Sequence, residues 1–159
     1  MEDTKITFFN EIRNGDLTKV EALIAMTPEL INSKDDRGST PLILATYYDH
    51  AHITDLLLEK GAEIDAKDAS GNTALMGVCF KGYTKIAEKL IEKGANVNER
   101  NAMGATCLIY AVTLNRAEIA KLLIAHGADT GPKDNRGNSA LDHAKIQGMP
   151  AMINLLENK

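Results

Sequence analysis

The chain has 159 residues, of which 44% are hydrophobic, 25% charged and 4% aromatic. This length fits one ordinary domain, and the apolar share excludes a chain that is disordered throughout. The formal net charge of −4 excludes a generally basic nucleic-acid-binding protein. Two cysteines are too few for a disulfide framework, so the composition predicts reduced thiols and a cytoplasmic location.

The first residues do not resemble a targeting segment. The start, residues 1–5, is acidic and is not followed by an apolar stretch, which predicts that this sequence has no secretory signal. The longest uninterrupted apolar run, residues 107–112, is far too short to span a bilayer. We therefore expect no association with a membrane.

The strongest signal along the chain is a repeat of 33 residues. The same residue types return at this period in at least five sets: Gly38, Gly71, Gly104 and Gly137; Thr40, Thr73, Thr106 and Ser139; Leu42, Leu75, Leu108 and Leu141; Ile53, Ile86, Ile119 and Met152; Leu57, Leu90, Leu123 and Leu156. Chance does not produce so many coincidences at one period. The chain accordingly divides into the segments 1–35, 36–68, 69–101, 102–134 and 135–159.

Each segment predicts the same elements in the same order. Residues 36–39 form a turn, and Thr40 and Pro41 then begin a short helix as its N-cap and first residue. A second helix follows, with Ile53 and Leu57 on its buried stripe. Residues that tolerate left-handed backbone end both helices. They are Asp49, Gly82, Asn115 and Gly148 for the first helices, and Gly61, Gly94 and Gly127 for the second.

On these residues, notably 38–45, 56–66 and 92–98, the sequence resembles the ankyrin-repeat family. The resemblance covers essentially the whole chain. It implies an all-α solenoid of stacked helix-turn-helix units, with β-hairpin-like loops at right angles to the helices. It also implies a single domain in which 1–35 and 135–159 cap three full repeats. One departure is the sequence of residues 130–133, Thr-Gly-Pro-Lys, which we expect to distort its loop.

The sequence contains no convincing catalytic constellation and predicts neither a cofactor nor a metal. Residues 77–84 have the glycine spacing of a phosphate-binding loop, but Tyr83 replaces the essential lysine. His50 and His52 alone fall short of a zinc site, which needs three or four ligands. The favoured interpretation of Cys79 and Cys107 is that of buried, inert thiols. Paired carboxylates such as those of residues 35–36 are expected to be solvated at turns.

Ankyrin repeats usually bind their partners on a concave side, which is made of the turns and the exposed face of the first helices. Carried over by position, this side consists of Arg37, Ser39, Tyr47, Tyr48, Ser70, Asn72, Phe80, Lys81, Met103, Ala105, Thr113, Leu114, Arg136, Asn138, Ile146 and Gln147. The predicted partner-binding residues, here called the candidate surface, are Arg37, Ser39, Tyr47, Tyr48, Asn72, Phe80, Lys81, Met103, Thr113, Leu114 and Arg136.

The aromatic residues of the candidate surface have two interpretations. The chain has only three Phe and four Tyr, and Tyr47, Tyr48 and Phe80 are three of these seven. Aromatic anchors beside arginine are typical of binding hot spots. The alternative is that the rings pack between neighbouring repeats.

We therefore predict a non-enzymatic, monomeric module that binds a protein partner and binds no nucleic acid. The alternative is a regulatory subunit or inhibitor of a specific enzyme, and a remote alternative is a metal-dependent enzyme using His50 and His52. The net charge is −7 over residues 1–68 and +3 over the rest, so electrostatic preferences should differ between the two ends.

Overall fold

A computed structural model describes residues 1–158 of the chain. Within that range the regular structure is helical, apart from an isolated antiparallel bridge between Arg100 and Thr106. This confirms the all-α prediction. The α-helices are α1 (Glu2–Asn14), α2 (Leu17–Met26), α3 (Pro41–Tyr47), α4 (Ala51–Glu59), α5 (Ala74–Lys81), α6 (Thr84–Glu92), α7 (Cys107–Thr113), α8 (Ala117–Ala125), α9 (Ala140–Ile146) and α10 (Pro150–Glu157), and a 3₁₀ helix spans Pro28–Asn32.

The helices stack as pairs in chain order. The first helices of successive pairs, α1, α3, α5, α7 and α9, pack one against the next, and each also packs on the second helix of its own pair. On the other side of the stack, α2 packs on α4 and α6 on α8. Each pair therefore buries its apolar stripe against its neighbours, as a solenoid requires. Four segments join the pairs, and we call them loops 1 to 4: residues 33–40, 60–73, 93–106 and 126–139.

Hydroxyl side chains cap the N-termini of α3, α5, α7 and α9, as predicted. Thr40 caps α3 by accepting a hydrogen bond from the N–H of Ile43 at 3.1 Å, and Pro41 is the first helical residue. The equivalent residues Thr73, Thr106 and Ser139 cap α5, α7 and α9 in the same way. An N-cap of this kind contributes about 1 kcal/mol to stability.

Left-handed backbone ends the helices where the sequence predicted it. Asp49 and Asn115 have φ angles of 61° and 56°, and they are the only non-glycine residues with positive φ among residues 1–158. After α4, the N–H of Gly61 donates to the carbonyl of Leu58 and the N–H of Ala62 donates to that of Leu57. This pair of hydrogen bonds requires the positive φ that glycine adopts without strain.

Small side chains lie where the first helices meet. Ala45, Val78, Ala111 and Ala144, each at the same position of its helix, are completely buried. Their size lets neighbouring helix backbones approach closely. On the second helices, the equivalent leucines Leu57, Leu90 and Leu123 are also completely buried. The core is therefore one continuous layer through the stack, mostly aliphatic, with Phe8 and Phe9 of α1 at one end.

Hydrogen bonds at the 33-residue period tie each loop to the next, and the sequence pattern did not predict them. Three basic side chains each donate to the carbonyl 33 residues later, in the bonds Lys34 to Lys67, Lys67 to Arg100 and Arg100 to Lys133. On another line, the side-chain oxygens of Asn32, Asp65 and Asn98 accept from the N–H 31 residues later. Both lines join the loop backbones of adjacent units into a regular array.

Loop 4 departs from this regularity, as expected from its sequence. In loop 2 the N–H of Ala66 donates to the carbonyl of Glu63 and closes a turn. The equivalent residue in loop 4 is Pro132, which has no N–H to donate. Residues 130–131 accordingly form no such turn.

Candidate functional site

In each of the four loops, a side-chain oxygen at the equivalent position accepts hydrogen bonds from the loop backbone. In loop 1 the carbonyl of Asp35 accepts from the N–H of Gly38, so the turn spans residues 35–38, one residue earlier than predicted. The Oδ1 atom of Asp35 also accepts from the N–H groups of Arg37 and Ser39, both at 2.9 Å. Asp68, Asn101 and Asp134 form the equivalent pairs of bonds in loops 2, 3 and 4. The expectation that Asp35 is a solvated turn carboxylate is wrong, since its side chain is largely buried.

Three of these four side chains, those of Asp35, Asn101 and Asp134, also contact a side chain of a helix. The guanidinium of Arg13 donates to Asp35 at 2.9 Å. The amide of Asn101 donates to the hydroxyl of Tyr110 at 2.8 Å and to Asn72 Oδ1 at 2.9 Å. Tyr110 and His143 occupy equivalent positions, 33 residues apart, and His143 Nε2 lies 2.7 Å from Asp134 Oδ2. Side-chain contacts therefore hold loops 1, 3 and 4 against the helices.

Burial and hydrogen bonding act in opposite directions on the Asp134 carboxyl. Partial burial raises its pKa, but the hydrogen bonds from His143 and from the N–H groups of Asn138 and Arg136 lower it by more. The pKa of Asp134 therefore lies below its ordinary value of 3.8, and this carboxylate is ionised at neutral pH.

Seven of the eleven residues of the candidate surface line two grooves, and the other four, Asn72, Phe80, Lys81 and Leu114, do not. The first groove, of about 500 Å³, lies between loops 1 and 2 and the end of α3, and its lining includes Arg37, Ser39, Tyr47 and Tyr48. The second groove, of about 220 Å³, lies between loops 3 and 4 and the end of α7, and its lining includes Met103, Thr113 and Arg136. Turns and helix ends that are far apart in the sequence thus face the same two depressions.

Aromatic and cationic side chains of the candidate surface contact one another and the residues that line the grooves. The Tyr47 and Tyr48 rings meet edge to face with centroids 5.5 Å apart, and the Lys81 Nζ atom lies 4.8 Å from the Tyr47 ring centre. Phe80 meets Tyr110 edge to face at 6.1 Å. Even so, Tyr47, Tyr48 and Phe80 remain 39%, 44% and 47% exposed. The rings therefore pack on one another and still present area to solvent.

The remaining members of the candidate surface differ in accessibility. Arg37, Met103 and Arg136 are exposed, and Asn72, Lys81, Thr113 and Leu114 are half-buried. Ser39 is only 9% exposed, because it lies directly before the helix cap. Its side chain therefore contributes little accessible area to the first groove.

Of the groups considered for chemistry, His50 is engaged in structural contacts and the two cysteines are buried, whereas His52 is exposed on α4. His50 Nε2 lies 3.1 Å from the carbonyl oxygen of Arg13, and its ring stacks on Tyr48. No group of three or more His, Cys, Asp or Glu side chains within residues 1–158 is arranged to hold a metal ion. Cys79 and Cys107 are both buried, and the neighbouring Cys107 thiol together with burial raises the pKa of Cys79 well above its usual range.

None of the helices in residues 1–158 combines the length and the apolar character needed to cross a bilayer.

The fold and the grooves define a helical-repeat protein whose loops and first helices carry an open surface. Comparison with protein families identifies which class of repeat this is. A family of ankyrin repeats described as three copies matches residues 8–101, and one described as many copies matches residues 90–144. The chain therefore belongs to the ankyrin-repeat family, as its sequence indicated. Ankyrin repeats are in general protein-interaction modules and are typically not enzymes.

Proposed function

We propose that this chain is a protein-interaction module that holds a partner protein across the candidate surface. The observation that supports this most directly is the distribution of exposed apolar side chains. Nine large hydrophobic residues are exposed within residues 1–158. Three of them, Tyr47, Tyr48 and Met103, line the two grooves. A fourth, Phe80, packs on the Tyr110 ring that lines the second groove. Clusters of this kind mark binding sites, whereas single exposed apolar residues are normal on any protein surface.

The character of these residues also favours protein recognition. Tyrosine and phenylalanine offer a large contact area with few rotatable bonds, and hot spots are enriched in aromatic residues and arginine. Arg37 and Arg136 lie exposed beside the rings, and neither forms an ion pair within residues 1–158. A partner would therefore meet apolar anchors next to two available cations.

The proposal is tested with the double variant Tyr48→Ala and Phe80→Ala. Partners are captured with the wild-type chain from a lysate of the cell that makes it, identified by mass spectrometry, and purified for calorimetric titration. We expect the double variant to bind at least about 100-fold more weakly, since hot-spot rings each contribute about 2 kcal/mol or more. Unchanged affinity would rule out this surface.

The matched control is Met26→Ala. Met26 is 80% exposed and lies at the end of α2, away from both grooves, so its removal takes apolar area from a different surface. We expect this variant to bind as the wild type does. Thermal unfolding of all variants checks that the fold is retained. Assaying the captured partner with and without this chain separates a regulator or inhibitor from a simple scaffold.

A further inference from the structure

Four equivalent residues form a row along the ends of the first helices. They are Tyr47, Phe80, Thr113 and Ile146, each 33 residues after the one before. Tyr47, Phe80 and Ile146 are large and exposed, by 39%, 47% and 69%. Thr113 is the only small member. The row of apolar side chains is therefore interrupted at the third position.

The second groove lies at this interruption. Thr113 lines it, together with the apolar side chains of Met103, Ile109 and the Tyr110 ring. Its volume of about 220 Å³ is several times the roughly 30 Å³ that a water molecule takes in the liquid. The groove is mostly apolar, so water inside it has few hydrogen-bond partners and is readily displaced. One large apolar side chain would restore the continuity of the row.

The charges at the mouth of the groove leave one group free for a partner. The Asp134 carboxylate is already occupied, because it accepts from two loop N–H groups and contacts His143. The amide of Asn135 donates to the carbonyl of Ala102. The guanidinium of Arg136 is exposed and forms no ion pair within residues 1–158. The complementary group on a partner is therefore a carboxylate.

We propose that the second groove receives one large aliphatic or aromatic side chain from a partner segment, and that an aspartate or glutamate beside this anchor pairs with Arg136. The partner is thus an acidic peptide segment with an apolar anchor. This inference rests on the proposed function and names the chemistry of the partner. It places the anchor at the third position of the row, at Thr113, where this chain itself lacks a large residue.

The test uses a random twelve-residue peptide library displayed on phage, selected against the wild-type chain. Selection is followed by measurement of the enriched peptides by fluorescence anisotropy. We expect the enriched sequences to share a Leu, Ile, Met or Phe next to an Asp or Glu. Replacing that anchor by alanine should lower affinity about tenfold or more, and replacing the neighbouring acid by lysine about fivefold or more.

Two variants of the chain test the groove directly. Thr113→Phe fills the groove, and its fold should be retained because Tyr47, Phe80 and Ile146 stand at the equivalent positions. We expect it to lose binding about tenfold or more. Arg136→Ala should weaken binding about fivefold at about 50 mM salt, and this difference should shrink at about 500 mM because screening removes it. The control is Lys85→Ala, which removes an exposed cation of α6 that makes no ion pair in the described chain.

The outcomes separate this inference from the proposed function. Enriched peptides that lack the acidic residue, or that bind Thr113→Phe as well as the wild type, would overturn the inference. If such peptides nonetheless lose affinity for the variant with Tyr48→Ala and Phe80→Ala, the proposed binding surface stands while the groove assignment fails. If these peptides also bind the double variant with the affinity that they have for the wild type, both proposals fail. Self-association of the chain that Thr113→Phe abolishes would assign the groove to a second copy and would also overturn the inference.

Discussion

Single oxygen atoms organise the loops that carry the candidate surface. Asp35, Asp68, Asn101 and Asp134 each accept two backbone N–H bonds, although only three of them are carboxylates. Asn101 forms the same pair of bonds through its amide oxygen, at 3.0 Å each. The acceptor geometry rather than the negative charge is therefore what the loop requires.

This leads to a prediction at Asp68, whose Oδ1 accepts from the N–H groups of Ser70 and Asn72. Asp68→Ala should lower the free energy of unfolding by about 1–3 kcal/mol, because both N–H groups lose their acceptor. Asp68→Asn should stay within about 0.5 kcal/mol of the wild type, since its oxygen can accept both bonds. Urea-induced unfolding followed by circular dichroism measures both.

The matched control for this pair is Asp36→Ala. Asp36 is exposed in loop 1 and makes no side-chain hydrogen bond or ion pair within residues 1–158. We expect this variant to unfold at the wild-type midpoint. If Asp68→Asn proved as damaging as Asp68→Ala, the negative charge would be the important property and the geometric explanation would be wrong.

Among the helices, α9 has the most elaborate N-terminus. Ser139 accepts from the N–H of Asp142, while the Asp142 carboxylate accepts from the N–H of Ser139 at 2.9 Å, which completes a capping box. The bond from the Ser139 N–H is the main cause that lowers the pKa of Asp142 below its ordinary 3.8. Folding therefore favours the ionised form of this carboxyl.

The sign of the pH dependence follows from this lowered pKa. The stabilisation by Asp142 is complete above the unfolded-state pKa of 3.8 and is lost as the pH falls from there through the lower folded-state pKa. We expect Asp142→Asn to be less stable than the wild type at about pH 6 and to lose less stability between about pH 4.5 and pH 2.5. Chemical denaturation across this range measures how steeply the free energy of unfolding of each protein falls with pH. Parallel acid curves for the two proteins would contradict the assignment.

Across the whole molecule, stability depends on contacts between neighbouring helix pairs. In the centre, α6 packs on α5 and α8, whereas the last helix, α10, packs mainly on α9. Leu90 of α6 is completely buried and Leu156 of α10 nearly so. The same leucine-to-alanine change, which costs about 2–5 kcal/mol in a core, therefore interrupts the stack at two different places.

Hydrogen exchange distinguishes the two positions. In Leu156→Ala we expect faster exchange confined mainly to the amides of α9 and α10, because the rest of the stack keeps its neighbours. In Leu90→Ala we expect faster exchange of the amides in the helix pairs on both sides of α6. Uniformly faster exchange in both variants would show that residues 1–158 unfold as a single unit, without the graded response expected of a solenoid.

The repeat in the sequence determined most of the fold. Periodic glycines, hydroxyl residues and leucines predicted the helix pairs, their caps and their ends, because these features depend on local backbone geometry and on an apolar stripe. The departure from the repeat at residues 130–133 predicted the distortion of loop 4, where Pro132 has no N–H to donate. The resemblance to ankyrin repeats, carried over by position, predicted a candidate surface that includes Tyr47, Tyr48 and Phe80.

Only the tertiary structure decided how the units join and where the candidate surface is open. The lines of bonds from Lys34 to Lys67 and onward link atoms 33 residues apart, and they exist only once the stacking brings those loops together. Asp35 is largely buried and pairs with Arg13, which lies 22 residues earlier on α1. The second groove likewise depends on side chains from two loops and two helices meeting around a small Thr113. A sequence pattern shows which residues are equivalent, but distance and accessibility arise from packing between units.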